Sequence, residues 1–324
     1  MDEFSFIEKY LSPLAFGKAE AVSLKDDAAI IPQKPGYDIV ITKDAIAEGT
    51  HFFKNDSPYN IAKKLLRVNI SDLAAKGAIP YCCFLALVLP RNLDEEWLAE
   101  FTASLKDDLQ EFGCFLAGGD TTSHDGGLVL TLTALGHVPT GKAILRSGAA
   151  VGDLIFATGT IGDSHLGLQL ILGKYTDLSI ASKEFLINRY NIPQPRTGIG
   201  TELLNIASSA TDISDGLLAD LQNICNCSKL SAELPLKSIP FSKAAKEAIK
   251  LHPELQLSAL SGGDDYELLF TAPPSMQDKI LEISQKSDIH ITKIGEIRSG
   301  SGIRLLDKAG REITVDKKGY RHFF

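Results

Sequence analysis

The chain has 324 residues, 44% of them hydrophobic and 23% charged, with a formal charge of −8. That length exceeds what one core usually holds, so two domains are expected, and the composition excludes intrinsic disorder. The negative balance supplies no field for nucleic acid or an anionic membrane, and neither is expected as a partner. The opening "MDEFSFIEKY" lacks the basic-then-apolar plan of a signal peptide, and the longest apolar run, "CCFLALVL", is too short to cross a bilayer. The five cysteines (Cys82, Cys83, Cys114, Cys225, Cys227) form no C-x-x-C pair. Reduced thiols acting as small hydrophobes, and a cytoplasmic location, are expected. Cys225-x-Cys227 is a conceivable metal pair, but no other Cys or His spacing completes a zinc site.

In chain order, "YDIVITKD" (37–44) predicts a strand running into a turn. "SPYNIAKKLLRVNISDLAAKG" (57–77) predicts a helix with Ser57 as N-cap, Pro58 at the first helical position and Gly77 as terminator. "YCCFLALVLP" predicts a buried strand, "LDEEWLAEFTASLKDDLQEFG" an amphipathic helix, and "GGLVLTLTALGHV" a strand of period two. The Gly-, Pro- and Ala-rich "PTGKAILRSGAAVGD" (139–153) marks a boundary, giving domains 1–140 and 141–324. Beyond it come a strand "DLIFATG", helices near 163–173, 180–190 and 197–209, and a helix "GLLADLQNICNC". The strands "YELLFTA" and "HITKIGEI" then flank a helix "SMQDKILEISQ". The mixture predicts an α+β or α/β protein. "NISDLAA" precedes "LAGGDTT" by nearly the interval that separates "DISDGLL" from "LSGGDDY", so a duplicated unit is considered alongside coincidence.

Aspartates recur beside small or apolar residues: Asp26-Asp27, Asp44, Asp72, Asp120, Asp212, Asp215 and Asp264-Asp265. Each has a structural explanation by itself. Asp215 and Ser214 suit a helix cap, Asp72 has Lys76 four residues on, and Asp120 after Gly118-Gly119 suits a turn. Together they strain those explanations, because unpaired carboxylates are costly in apolar surroundings. All-oxygen ligands point to a hard cation, Mg²⁺ before zinc, of the kind that bridges carboxylates to substrate phosphates. The glycines of "ATGTIGDSHLGL" (157–168) and "LAGGDTT" place flexible backbone where N–H groups would meet phosphate oxygens. No P-loop or protein-kinase motif is present. Arg146 is either a phosphate clamp or an ion-pair partner.

Ten segments then occur in a fixed order: "DDAAI", "TKDAIAEGTHF", "NISDLAAKGAIP", "GGDTT", "RSGAAVGD", "TGTIGDSHLGL", "RYNIPQPR", "TDISDGL", "SGGDDYELLFT" and "GYRHFF". As a set, and over nearly the whole chain, they resemble thiamine-monophosphate kinases, of the aminoimidazole-ribonucleotide synthetase-like superfamily of ATP-dependent enzymes. The resemblance implies a two-domain α+β fold, with strands of the N-terminal domain forming a homodimer interface. It implies direct transfer of the γ-phosphoryl of ATP to thiamine monophosphate, giving thiamine diphosphate and ADP. Several Mg²⁺ ions would be held by Asp27, Thr42, Lys43, Asp44, Asp72, Asp120, Asp212 and Asp215. Gly119, Asp120, Arg146 and Ser214 would contact the nucleotide, and His51, Asp264 and Tyr320 the acceptor. Asp44, Asp120 and Arg146 would carry the catalysis.

The chain departs from the family pattern at Lys25 (usually Gly), Lys43 (a hydroxyl residue), Thr102 (an aromatic nucleotide contact), Asp264 (Glu) and Lys76 (Met). Rivals on the same fold include selenophosphate synthetase, which the absence of cysteine before Cys82 disfavours, and the hydrogenase-maturation dehydratase, which the cysteine-free "HFF" end disfavours. The purine-pathway cyclo-ligase is the third. A non-catalytic divalent-metal module is the alternative from another class.

Overall fold

The computed structural model describes residues 3–91, 93–315 and 319–320. The chain divides into two compact units, one built from residues 1–73 and 78–141, the other from 74–77 and 142–324. Among the described residues no helix is long and apolar enough to cross a membrane.

The first unit opens with α1 (Glu3–Phe6) and a run of short helical turns ending at Leu24. Its sheet contains β1 (Tyr37–Ala47), β2 (Ile79–Pro90), β3 (Phe115–His124) and β4 (Val129–Pro139), in the order β1-β4-β2-β3. β2 and β3 run parallel, and the other pairs are antiparallel. The helices are α2 (Pro58–Ala75) and α3 (Glu95–Glu111), the latter crossing between the parallel strands. Alternation sorts the strand residues. Ile46, Leu85, Leu130 and Leu132 are buried, whereas Ile39, Ile41, Lys43 and Ala45 look out from β1.

α2 begins as its sequence requires, the Asn60 amide donating to Ser57 Oγ at 3.2 Å and Pro58 taking the first helical position. It ends where Gly77 turns left-handed at φ +69°. α2 and α3 are locked by charge. Asp108, 0% exposed, accepts from Lys63 Nζ at 2.5 Å and from Arg67 through Nε at 2.6 Å and Nη2 at 2.9 Å.

The second unit has a seven-stranded sheet in the order β11-β10-β7-β9-β5-β8-β6. Its strands are β5 (Leu154–Thr158), β6 (Ser209–Asp212), β7 (Ser231–Pro235), β8 (Leu268–Ala272), β9 (Ile291–Arg298), β10 (Gly302–Leu306) and β11 (Glu312–Ile313). Period-two alternation divides the core. Ile155, Ala157 and Leu269 face one layer, with α4 (Asp163–Ile171), α5 (Ile180–Asn191), α7 (Leu217–Ser228), α8 (Lys243–Leu251) and α9 (Leu255–Ser261). Leu154, Phe156, Leu268 and Phe270 face the other, with α6 (Thr197–Glu202) and α10 (Gln277–Ser287).

Several expectations are corrected. Gly118-Gly119-Asp120 is not a turn but lies within β3, where Gly119 is needed because a Cβ there would collide with the Leu85 carbonyl. The helix expected over 197–209 stops at Glu202, and Asn205 turns left-handed at φ +63° before β6. "YELLFTA" becomes strand only at Leu268, since Tyr266 is itself left-handed at φ +50°. β7, α8, α9, β10 and β11 had no counterpart in the sequence reading. The repeat also fails, because Asp72 sits inside α2 and Asp120 inside β3, whereas Asp215 and Asp264 lie in loops. Cys82, Cys83, Cys114 and Cys225 are buried free thiols and Cys227 is exposed.

Replacing Asp108 with alanine would strip buried Lys63 of this anion and leave buried Arg67 with Glu111 in place of two carboxylates, at a cost of about 3–5 kcal/mol. The expected outcome is a lower denaturant midpoint, with Lys63→Met/Arg67→Met/Asp108→Leu recovering most of the loss.

Candidate active site

In the first unit the chemistry gathers where β1 runs beside α2. Thr42 and Asp44 occupy alternate positions on the face of β1 toward that helix. Thr42 Oγ1 donates to Asp72 Oδ2 at 2.5 Å, and the Asp44 amide donates to Asn69 Oδ1 at 3.1 Å. The Asp44 and Asp72 carboxyls lie close enough for each to feel the other's charge. Burial, then the Asp72 charge, pushes Asp44 up to about 6. This is a pair of like charges held close, in contrast with Asp108 and its two cations.

The other residues expected here are placed differently. Lys43 points to the opposite, exposed face of β1, so its ammonium is turned away from the pair. Asp27 is exposed, its amide bonded to Asp26 Oδ1 at 2.8 Å. Asp44 shares a row with Leu132, Leu85 and Gly119, from one sheet edge to the other, three strand spacings or about 14 Å along the ladder. Asp120 belongs to the next, outward row and is exposed. His51 follows β1, its Nδ1 accepting from the Ala47 amide at 3.1 Å. Thr102 is buried and donates to Leu98 O at 2.8 Å, so its hydroxyl is spent within α3. Among the described residues, no three His, Cys, Asp or Glu side chains stand close enough to hold a metal ion.

In the second unit one loop is the hub. β6 ends at buried Asp212, and residues 213–216 lead into α7. The carbonyls of this loop are taken up by backbone from elsewhere. Tyr266 donates to Ile213 O at 2.8 Å, Asp264 to Ser214 O at 2.9 Å and Tyr320 to Asp215 O at 3.0 Å. Ser214, Asp215, Asp264 and Tyr320, singled out separately in sequence, are therefore fixed together. Arg146 joins them, its Nε donating to Thr211 Oγ1 at 3.2 Å while the side chain stays exposed. Residues 321–324, the end of the "GYRHFF" segment, lie outside the described residues.

Sequence reading missed Asp220. From the first turn of α7 its Oδ2 accepts the amides of Ser214 at 3.1 Å and Asp215 at 3.0 Å, orienting the hub from below. Burial, then the Asp215 charge, raises Asp220 to about 7 against the opposing pull of those amides and Arg146. An acidic residue in the first turn of a helix that follows two other acids was the available signal.

The glycine-rich 157–168 segment is also reassigned. Its amides are spent internally: Gly159 on His290 O at 2.8 Å, Ile161 on Pro240 O at 2.9 Å, Gly162 on Asp265 Oδ2 at 2.6 Å and Ser164 on Asp265 Oδ1 at 3.2 Å. These glycines serve close packing, since a Cβ on Gly162 would strike Ala259 and one on Gly167 the Leu186 carbonyl.

A raised carboxylate is favoured in its protonated form by the folded state, so the penalty of Asp44 is absent below about pH 4 and complete above about pH 6. In metal-free protein, Asp44→Asn is therefore expected to raise the melting temperature by several degrees at pH 7.5, on the order of 2–4 °C per kcal/mol recovered, and to change it little at pH 4. Calorimetry at the two pH values checks this.

Residues 25–138 match the family model of the AIR synthase related protein N-terminal domain, and 150–308 that of its C-terminal domain. A thiamine-monophosphate kinase from Caulobacter vibrioides is 39% identical over 323 residues, spanning 99% of this chain and 90% of its own. The crystal structure of thiamine-monophosphate kinase from Stenotrophomonas maltophilia is 34% identical with a TM-score of 0.86, covering 97% of this chain and 98% of its own. A structure of AaThiL complexed with AMPPCP and TMP is 28% identical with a TM-score of 0.78, covering 92% and 91%. The fold is the two-domain α+β fold of these proteins, and the chain belongs to the thiamine-monophosphate kinase family.

Proposed function

We propose that the chain phosphorylates thiamine monophosphate with ATP, giving thiamine diphosphate and ADP by direct transfer, as a cytoplasmic homodimer that uses Mg²⁺. The carrying observation is likeness along the full length to thiamine-monophosphate kinases, one relative being solved with an ATP analogue and TMP.

The residues suit that chemistry. The attacking oxygen belongs to a phosphate monoester whose second pKa is about 6, so it is ionised near neutrality and needs no protein base. The barrier lies in bringing polyanions together, which calls for positioning and charge neutralisation. Asp44 and Asp72, with Thr42 beside them, form a two-carboxylate oxygen set of the kind Mg²⁺ shares with water and phosphate. Their mutual repulsion is what a cation would relieve. Asp212 and Asp215 are the corresponding candidates in the second unit, and Asp27, Asp120 and the Lys43 backbone complete the proposed set. Mg²⁺ held by such residues would neutralise phosphate oxygens and orient them for in-line transfer.

Arg146 acts as the phosphate clamp, since it is exposed and is held at the hub through its Nε bond to Thr211 Oγ1. Gly119, Asp120 and Ser214 are assigned to the nucleotide, and Asp44, Asp120 and Arg146 to catalysis. Asp264, Tyr320 and His51 are assigned to the acceptor. A carboxylate beside an aromatic ring suits the cationic heteroaromatic group of thiamine. The homodimer reading rests on the outward face of edge strand β1, where Ile41 is 63% and Ile39 42% exposed.

Incubation with ATP, Mg²⁺ and thiamine monophosphate is expected to yield thiamine diphosphate, and a folded protein giving none with metal present would refute the reading. Arg146→Ala should lower kcat/KM by roughly 10²–10³ without lowering the melting temperature. Ile41→Lys is expected to sediment as a monomer; an unchanged dimer mass would exclude that face.

A further inference from the structure

Asp264 and Tyr266 have left-handed backbones, at φ +71° and +50°. Such conformations are uncommon outside glycine and persist only where the surroundings over-determine them. Two acidic side chains in the same run turn inward. Asp265 is 0% and Glu267 1% exposed. Asp265 accepts the Gly162 and Ser164 amides at the start of α4, at 2.6 and 3.2 Å. Glu267 accepts from Arg196 through Nε at 2.7 Å and Nη2 at 2.5 Å, from Arg189 Nη2 at 3.0 Å and from Thr158 Oγ1 at 2.6 Å. Arg189 Nη2 also donates to the Asp265 carbonyl at 3.0 Å, tying the two anchors together.

Inward and outward residues therefore alternate: Asp264 out, Asp265 in, Tyr266 out, Glu267 in. On the outward side the Tyr266 hydroxyl reaches Asp264 Oδ1 at 3.4 Å, and the Asp264 amide is held by Ser214 O. The Gly262 and Gly263 backbones pack directly on their neighbours, where a Cβ would strike His165 or the Ser214 carbonyl. With both ends held, the segment has one course.

We propose that Asp265 is a positioning residue for the acceptor side of the reaction. Its buried carboxylate holds residues 262–266, with their left-handed turns at Asp264 and Tyr266, in the path that aims Asp264, and it acts through Asp264 rather than on the substrate itself. Glu267, in its guanidinium cage, fixes the following residue. The functional consequence rests on the reading of Asp264 as an acceptor contact.

The test uses full-length Asp265→Asn, which keeps size and leaves one of the two amides without its acceptor. The expected result is a KM for thiamine monophosphate raised about tenfold with the KM for ATP within about twofold, and amide exchange over 262–266 faster by about tenfold. An equal rise in both KM values, or unchanged exchange in a folded variant, overturns the proposal. Arg196→Lys, which weakens the Glu267 cage without emptying the interior, should shift the same two readouts less, and decides the matter if Asp265→Asn does not fold. No change in either readout then counts against the proposal. Asp264→Asn run in parallel separates the readings. If it leaves the KM for thiamine monophosphate unaltered, the acceptor role of Asp264 fails, and the anchor is judged by exchange alone.

Discussion

A side chain on Gly263 would strike the carbonyl of Ser214, and one on Gly216 would press on residues 261 and 262. The loops before α7 and before β8 therefore meet backbone to backbone, closer than any L-residue with a Cβ permits. That approach is what allows the Ile213, Ser214 and Asp215 carbonyls to be bonded by Tyr266, Asp264 and Tyr320. Loops normally take their shape from solvent and local turns. Here the shape comes from a second loop, and both rest on glycine.

Carboxylates in this protein live in distinct surroundings, and the differences sort structure from chemistry. Asp108 and Glu267 are buried with guanidinium partners and lock elements together. Asp220 and Asp265 are satisfied mainly by backbone amides and shape loops. Asp44 sits beside another carboxyl, whose charge works against its own. Such a pair costs stability, and it is on that cost that the proposed cation role of Asp44 and Asp72 rests.

Much of this was legible beforehand. Helix α2 announced both ends through Ser57, Pro58 and Gly77, and the strands with clean alternation were readable from period alone. Ordered motifs across the chain carried the family. What sequence could not carry was partnership. Nothing in "KKLLR" says that Lys63 and Arg67 will meet Asp108, more than forty residues on. Nothing in "TGTIGDS" says that its amides will be met by an internal aspartate rather than a phosphate. β3 was lost because Gly118-Gly119 reads as a turn, when the glycine is there for the close Leu85 carbonyl. Local composition reports which conformations are allowed, whereas long-range pairing decides among them.

The alternation through Asp264-Asp265-Tyr266-Glu267 fixes length as strictly as identity. Adjacent, chemically identical residues do opposite jobs, one facing the hub and one facing the interior, because successive positions point to opposite sides. A deletion or insertion of one residue between Gly263 and Leu268 would exchange those jobs while preserving nearly the same composition. The carboxylate that faces the hub would be driven against the start of α4, and the anchor would be turned toward the hub. The length of this segment is therefore as much a structural requirement as the identity of its acids.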